Sequence, residues 1–539
     1  MSTQRVRREQ LDTDVLDLGD RRMRRPQRLA ASRYGMIATA HYQATEAGVE
    51  ILEAGGNAFD AAAAAAFALG VCEPAASGLG GQTMMLIHHA ETRRTVALDG
   101  SSRAPMRATP EIMRESNRVR GYRATTVPST PAVLRYVIEQ YGKLKLRDVL
   151  QPSIRLADEG SDVSLLQYAL TRREQKHLRA GSAGPLFLKD GSRLHQIGSK
   201  LRQPVLADTL RRLASKGVRD FYRGQIAKLI HEDMTRNDGL LQRDDLAQVP
   251  RPIERRPVTC RFDGARVFSF PLPGAGRTLI EMLNVYGELA ESRRDIDTPQ
   301  GAVVLAEVIR RAFLDRQDRP FDPSYFPQIM DDRMLRPEYA KRVARQISRR
   351  VKTKGETTHL SVMDRDGNVV ALTQSIERVY GSCSATAELG FLYNNYMSAF
   401  DYKDISHPYY LRPNAVPWAS VAPTIVFRGR NPWMALGSPG SERITPSILQ
   451  VLLRLRHMPP LAAVDAPRLH CNLKGTVALE ASRMRDDIPA ALERHGFEVD
   501  SRDSHSFYLG CVQLVMRERK EFIGVADPRR DGSAGGPSR

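Results

Sequence analysis

Cysteine is sparse and never clustered: Cys72, Cys260, Cys383, Cys471 and Cys511 are widely separated, with no CxxC pair and no Cys/His group at metal-ligand spacing. That pattern argues against a zinc site and against a disulfide framework, and it suits a reduced compartment. Long apolar runs are also missing. No stretch is long enough to span a bilayer, and the first thirty-odd residues carry arginines but no apolar signal core. Residues 1–34 are therefore read as a disordered or surface arm, and the protein as cytoplasmic. The phosphate-cradling glycine spacings are absent too. Gly78-Leu79-Gly80-Gly81 leads into a strand, not a helix, so nucleotide binding is not expected.

What is present is an ordinary globular composition, 42% apolar and 26% charged, with a formal net charge of +18. The arginines are scattered and form no aromatic-interleaved basic block, so a basic solvated surface that favours small anionic substrates is a better reading than nucleic-acid recognition. At 539 residues the chain requires two domains or one large multilayered domain.

Apolar residues at helical spacing through Val49, Ile51 and Leu52 stop at Gly55-Gly56, and Asp60 opens an Ala-rich second helix; together they predict a tightly packed helical pair. The strands MIATA, TMMLIHH and TVALDG surround this region. Helices are expected over Pro131–Tyr141, Leu146–Glu159, Leu206–Ser215 and Asp220–Asp233. After the polar, Lys-bearing stretch VKTKGE, which reads as an accessible loop, strand patterns dominate: HLSVMD, NVVALTQS, GFLYNN, SVAPTIVF, MALGSPG, FYLGCVQLV and EFIGVA. Helices are expected at Ser447–Arg456 and Ile488–His495. Asp366-Gly367, taken as a two-residue hairpin loop, brings Ser375, Ile376 and Glu377 alongside Thr357. Sheets with helices outside make an α+β layered architecture.

Thr357-Thr358-His359 opens a strand just after the polar loop. A threonine hydroxyl becomes a nucleophile when a base sits beside it, and an N-terminal threonine carries that base as its own amine. The amine would exist only after cleavage of Glu356-Thr357. With a reference pKa of about 7.7–8.0 it is partly neutral near pH 7. On spacing alone, however, a Thr-Thr pair at a strand start is as well explained by β-branched side chains filling a pleat.

The sequence TTHLSVMDRDGNVVALTQSI resembles the segment that opens the small subunit in the γ-glutamyltransferase family. GMIATAHYQATEAGVEILEAGGNAFDAAAA, EPAASGLGGQTMMLI, STPAVLRYVIEQYGKLKLRDVLQPSIRLADEG, PLPGAG, NAVPWASVAPTIVF, ALGSPGSERI and ADPRRDG resemble further family landmarks in order. The resemblance implies the four-layer αββα sandwich of N-terminal-nucleophile hydrolases. It also implies a large subunit over 35–356 and a small subunit over 357–539, joined as a heterodimer after self-cleavage. Thr357 matches the nucleophile and Ser375 the hydroxyl residue that positions it. Gly440, with Ser441 in place of a second glycine, matches the turn whose backbone N–H groups hold the oxyanion. No metal or organic cofactor is implied. The expected donor is a small γ-glutamyl or related amide, and the acceptor water, an amino acid or a peptide; neither a specific nucleic acid nor a membrane is an expected partner.

The substrate pocket departs from the family pattern. Ser101 stands where an arginine takes the α-carboxylate, and Arg103, of the same strand-face parity, is the candidate substitute. Ala399 stands where a carboxylate binds the substrate ammonium, Tyr396 replaces a polar residue, and Glu377 replaces a neutral amide and offers a new counter-ion. Of a serine pair only Ser420 remains, beside Ala419. Cys383 interrupts a Gly-Ser-Gly turn and reads as a packing residue. These changes argue against unaltered glutathione recognition. An acylase acting on a non-glutamyl amide and an uncleaved, non-catalytic relative are the alternatives.

Overall fold

The computed structural model describes residues 26–113, 115–249, 251–318, 333–346 and 357–538. Two seven-stranded sheets form its centre. The first runs, edge to edge, Ser533–Gly535, Gly35–Thr39, Thr358–Asp364, Val369–Ser375, Gln82–His89, Arg94–Gly100 and Ile253–Arg255. The second runs Leu29–Ser32, Glu521–Ala526, Gln513–Glu518, Asn431–Gly437, Thr424–Arg428, Ala265–Ser269 and Val258–Phe262. All pairings in both sheets are antiparallel.

Alternation along the strands builds the layers. Ile37, Met85, Leu360, Val362 and Leu372 pack outward under the helices Tyr42–Glu53 and Ala58–Cys72. Their strand neighbours Met36, Met84, Met363 and Ala371 face inward and meet Ile425, Phe427, Ala435 and Val515 of the second sheet. The opposite side of that sheet, through Met434, Leu436 and Leu514, packs on the helices Gly276–Gly287, Pro299–Asp318 and Ile444–Arg454. This is helix, sheet, sheet, helix, the αββα sandwich that the family resemblance implies and an α+β layered architecture as the sequence pattern predicts. The Ala-rich helix starts on a capping box, with Asn57 accepting from Phe59 and Asp60 N–H and Asp60 accepting from Asn57 N–H. All its residues except Gly70 are buried, as expected of a helix apolar on every side.

Several local expectations are corrected. The hairpin loop holds three residues, 365–367, because the Asp364 carboxylate accepts from Asn368 N–H and Nδ2 and from Ala58 N–H, closing the turn one residue earlier. GFLYNN forms only isolated bridges, at Leu392 and Tyr393. In FYLGCVQLV the strand begins at Gln513, after a short helical turn at Phe507–Leu509. The helix expected over Asp220–Asp233 breaks at Gly224 into Arg219–Arg223 and Gln225–Arg236. Within the arm, Leu29–Ser32 is an edge strand paired with Glu521–Ala526. VKTKGE and the rest of the arm up to residue 25 lie outside the described residues.

Candidate active site

The strand Thr358–Asp364 has a second antiparallel neighbour in Gly35–Thr39, but that pairing begins only at Leu360, opposite Thr39. Among the described residues its head is thus laddered on one side alone. There Thr358 pairs with Gln374, and the same register carried one residue further sets Thr357 opposite Ser375. The three-residue loop decides this: a two-residue loop would set Ile376 there. Thr357 is buried, at 5% exposure.

Alternation gives Thr357 the face of His359 and Ser361, toward the second sheet. Ser361 Oγ donates to Gln513 O at 3.1 Å, and the His359 ring lies between Thr373 Oγ1 and Ser361 Oγ. That ring fills the space where a side chain at Gly437 would stand, so glycine is required there. Gly437 ends the strand Asn431–Gly437, and three residues on, Gly440 has φ +114° and Ser441 φ +54°. The sandwich therefore brings the Gly440-Ser441 turn to the same end as Thr357. Ser441 begins a short helical turn over Ser441–Arg443, where N–H groups lack an intrahelical acceptor.

Ser375 Oγ accepts from Glu377 N–H at 2.8 Å. Glu377 is half-buried with φ +76°. The Tyr396 hydroxyl lies beside the side chains of Ser375 and Gln82; burial, and then the nearby Glu377 carboxylate, push the phenol well above its usual range. Gln82 Oε1 in turn accepts from Ser102 N–H at 2.9 Å and Ser102 Oγ at 3.1 Å, and Thr126 Oγ1 links Ser102 to Asn394. Gly81 lies so close to Ser375 O that a side chain would collide with it. The Gly78–Gly81 turn thus serves close approach of two backbones at the site.

The structure brings Ser375, Glu377 and Tyr396 together. It gives Arg103 a different setting: its guanidinium donates to Asn414 O at 3.3 Å and, with Ser101, Met106 and Asp245, lines a small cleft. Ser101 Oγ donates to the Asp99 carboxylate. Ser420 Oγ accepts from Trp418 Nε1 at 3.2 Å, and Trp418 lies under Arg316, 3.7 Å from the ring centre. Arg316 also donates to Ala419 O at 3.0 Å. Desolvation lowers Arg316 to about 10, while Glu442, beside the Gly440-Ser441 turn, acts against that shift. Burial raises Glu442 to about 7, with Arg443 and Arg316 opposing. Ser420 is thereby linked through Arg316 to the turn at 440–442. Burial pushes the Cys383 thiol up to about 12, which suits packing and not a nucleophile.

Sequence reasoning missed Gln82, Ser102 and Glu442. Ser102 stands between Ser101 and Arg103, and strand alternation would have set it on the opposite face from both. Gln82 follows the glycine turn without a motif of its own. Glu442 is an acidic residue in ALGSPGSERI whose burial only the packed structure reveals. Among the described residues no group of His, Cys, Asp and Glu could hold a metal ion.

Comparison with known proteins identifies relatives of the whole chain. The model of the gamma-glutamyltranspeptidase family matches residues 44–536. A glutathione hydrolase proenzyme of Bacillus subtilis (strain 168) is 31% identical, over 93% of this chain and 91% of its own. An acylase ACY 1 proenzyme of Pseudomonas sp. (strain V22) is also 31% identical, over 94% of each. Among solved structures, cephalosporin acylase from Bacillus halodurans superposes with a TM-score of 0.87 at 28% identity, covering 95% of this chain and 98% of that one. With its layered fold and this match across nearly the whole length, the chain belongs to the γ-glutamyltranspeptidase family.

Proposed function

We propose that the chain is a proenzyme that cuts its own Glu356–Thr357 bond and then uses Thr357 to transfer acyl groups from amides to water or an amine. In maturation the Thr357 hydroxyl attacks the Glu356 carbonyl; the C–N bond breaks, an ester forms, and the amine keeps the proton. Water then opens the ester, leaving a Glu356 carboxylate and a free Thr357 amine. In turnover Thr357 Oγ attacks the substrate carbonyl and its own amine takes the proton and returns it to the leaving amine. The Gly440 and Ser441 N–H groups stabilise the oxyanion. The acyl-enzyme then passes to water or an amine acceptor.

The observation that carries this reading is the placement of Thr357 opposite Ser375, with the Gly440-Ser441 turn at the same end of the sandwich. The related proteins named as proenzymes support the cut. A γ-glutamyl donor is the first substrate reading, with Glu377 as ammonium counter-ion. The Ser101 and Ala399 replacements, the Arg103 guanidinium on Asn414 O and the similarity to acylases favour a second, a non-glutamyl amide.

Intact-mass analysis of wild type and Thr357→Ala after incubation with γ-glutamyl and other acyl-amide probes tests this function. Wild type should give two fragments and an adduct on the one beginning at Thr357, and Thr357→Ala neither. An adduct from non-glutamyl probes alone replaces the first substrate reading by the second. Full turnover by Thr357→Ala rejects the mechanism.

A further inference from the structure

Thr358 sits at the head of a strand that, among the described residues, has no second backbone partner until Leu360. Once Glu356–Thr357 is cut, Thr357 becomes a chain terminus, and termini fray unless tied down. A tie is present. Thr358 Oγ1, on the helix-facing side of the strand, donates to Glu73 Oε2 at 2.5 Å. Glu73 directly follows the Ala-rich helix, and its other carboxylate oxygen accepts from Arg530 Nη1. Arg530 lies over the Phe507 ring, 4.6 Å from its centre, and both ionic groups are buried.

Glu73 also holds the opposite strand's exit. Its carbonyl accepts from Ala76 and Ser77 N–H, forming a turn whose Ala76 and Ala75 carbonyls accept from Ile376 and Tyr380 N–H. One residue thus braces both chains that meet at the site, Thr358 next to the nucleophile and the segment next to Ser375. A hydrogen bond to a charged, buried carboxylate is stronger and more directional than one to water.

Resting on the function proposed above, we infer that Glu73, held by Arg530, is a positioning residue that acts through the Thr358 hydroxyl to keep Thr357 aimed between the sheets. It touches no reacting atom. It replaces the missing ladder on the unpaired side of the strand head, before the cut and after it.

Thr358→Val keeps the branched shape but removes the donor, leaving Glu73 and Arg530 paired; Thr358→Ser restores the donor. Both are measured for the half-time of precursor cleavage by intact mass, for kcat and KM on a γ-glutamyl anilide, and for Tm. The expected result for Thr358→Val is cleavage and kcat slowed about tenfold, as misplacement of reacting groups costs. KM should stay within about twofold, Tm should be close to wild type, and Thr358→Ser should recover most of the loss. If the anilide is not a substrate, the cleavage half-time alone carries the comparison. Wild-type cleavage in Thr358→Val, a loss that only tracks a falling Tm, or no recovery in Thr358→Ser would overturn the inference. An uncut wild type would instead remove the functional reading on which it rests.

Discussion

At the scale of single residues, the site depends on charge kept out of the wrong place. Glu442 adjoins the turn that would hold an oxyanion, and burial raises its carboxyl from 4.5 to about 7. A folded value above the unfolded one means that the neutral form is favoured by folding. Its stability contribution is complete below about 4.5 and is lost as pH rises through about 7. The difference is on the order of 3 kcal/mol. Urea unfolding of Glu442→Gln at pH 5 and pH 8 should therefore show a smaller decline with pH than wild type; an equal decline assigns the carboxyl no such shift. His359 has the opposite sign. Burial lowers it to about 3, so its ring is neutral in the folded protein throughout the physiological range and favours folding above about 6.5. Thr357 and Ser375 were legible because their motif places them, whereas the Arg103 geometry was not. Strand parity tells which face a side chain takes, but not that Asn414 O would accept from its guanidinium.

At the scale of elements, the turn at 438–442 links the second sheet to the chemistry on the first. Gly440 at φ +114° occupies backbone that L side chains rarely adopt, and a Cβ there would come to 3.3 Å from Gly510 Cα. Gly440→Ala should lower kcat by about a hundredfold with little change in KM, because a displaced oxyanion donor is lost mainly in the transition state. Ser441→Gly retains the N–H and should keep kcat within about threefold, relief of the left-handed strain offsetting glycine's greater chain entropy. Steady-state kinetics on the two variants check this; equal losses would assign the Ser441 side chain a role of its own. Long periodic elements were legible to within about three residues, from Leu146–Glu159, which matches at both ends, to the helix expected at Ser447–Arg456, which runs Ile444–Arg454. The misreadings share a cause. The hairpin loop, GFLYNN and FYLGC are governed by side-chain caps and long-range packing, such as Asp364 closing its own turn, which local pattern does not contain.

At the scale of the whole molecule, the order of strands makes the two sides of Thr357 inseparable. The first sheet interleaves segments from before and after that residue, setting Gly35–Thr39 against Thr358–Asp364 and Gln82–His89 against Val369–Ser375. The second pairs Leu29–Ser32 with Glu521–Ala526 and Ala265–Ser269 with Thr424–Arg428. Separation would open both sheets and expose unpaired edges. A cut protein should elute as one species on native size exclusion while giving two bands on a denaturing gel; two native peaks would contradict that interleaving. The layered architecture itself was legible because strand alternation and helical periodicity agree with one another along the chain. Cleavage before Thr357 is tested most directly by the N-terminal sequence and mass of the smaller fragment of purified wild-type protein. The expected fragment begins Thr357-Thr358-His359 and has the mass of residues 357–539; a folded, acylation-competent protein that stays a single uncut chain would contradict self-cleavage as the source of the nucleophile.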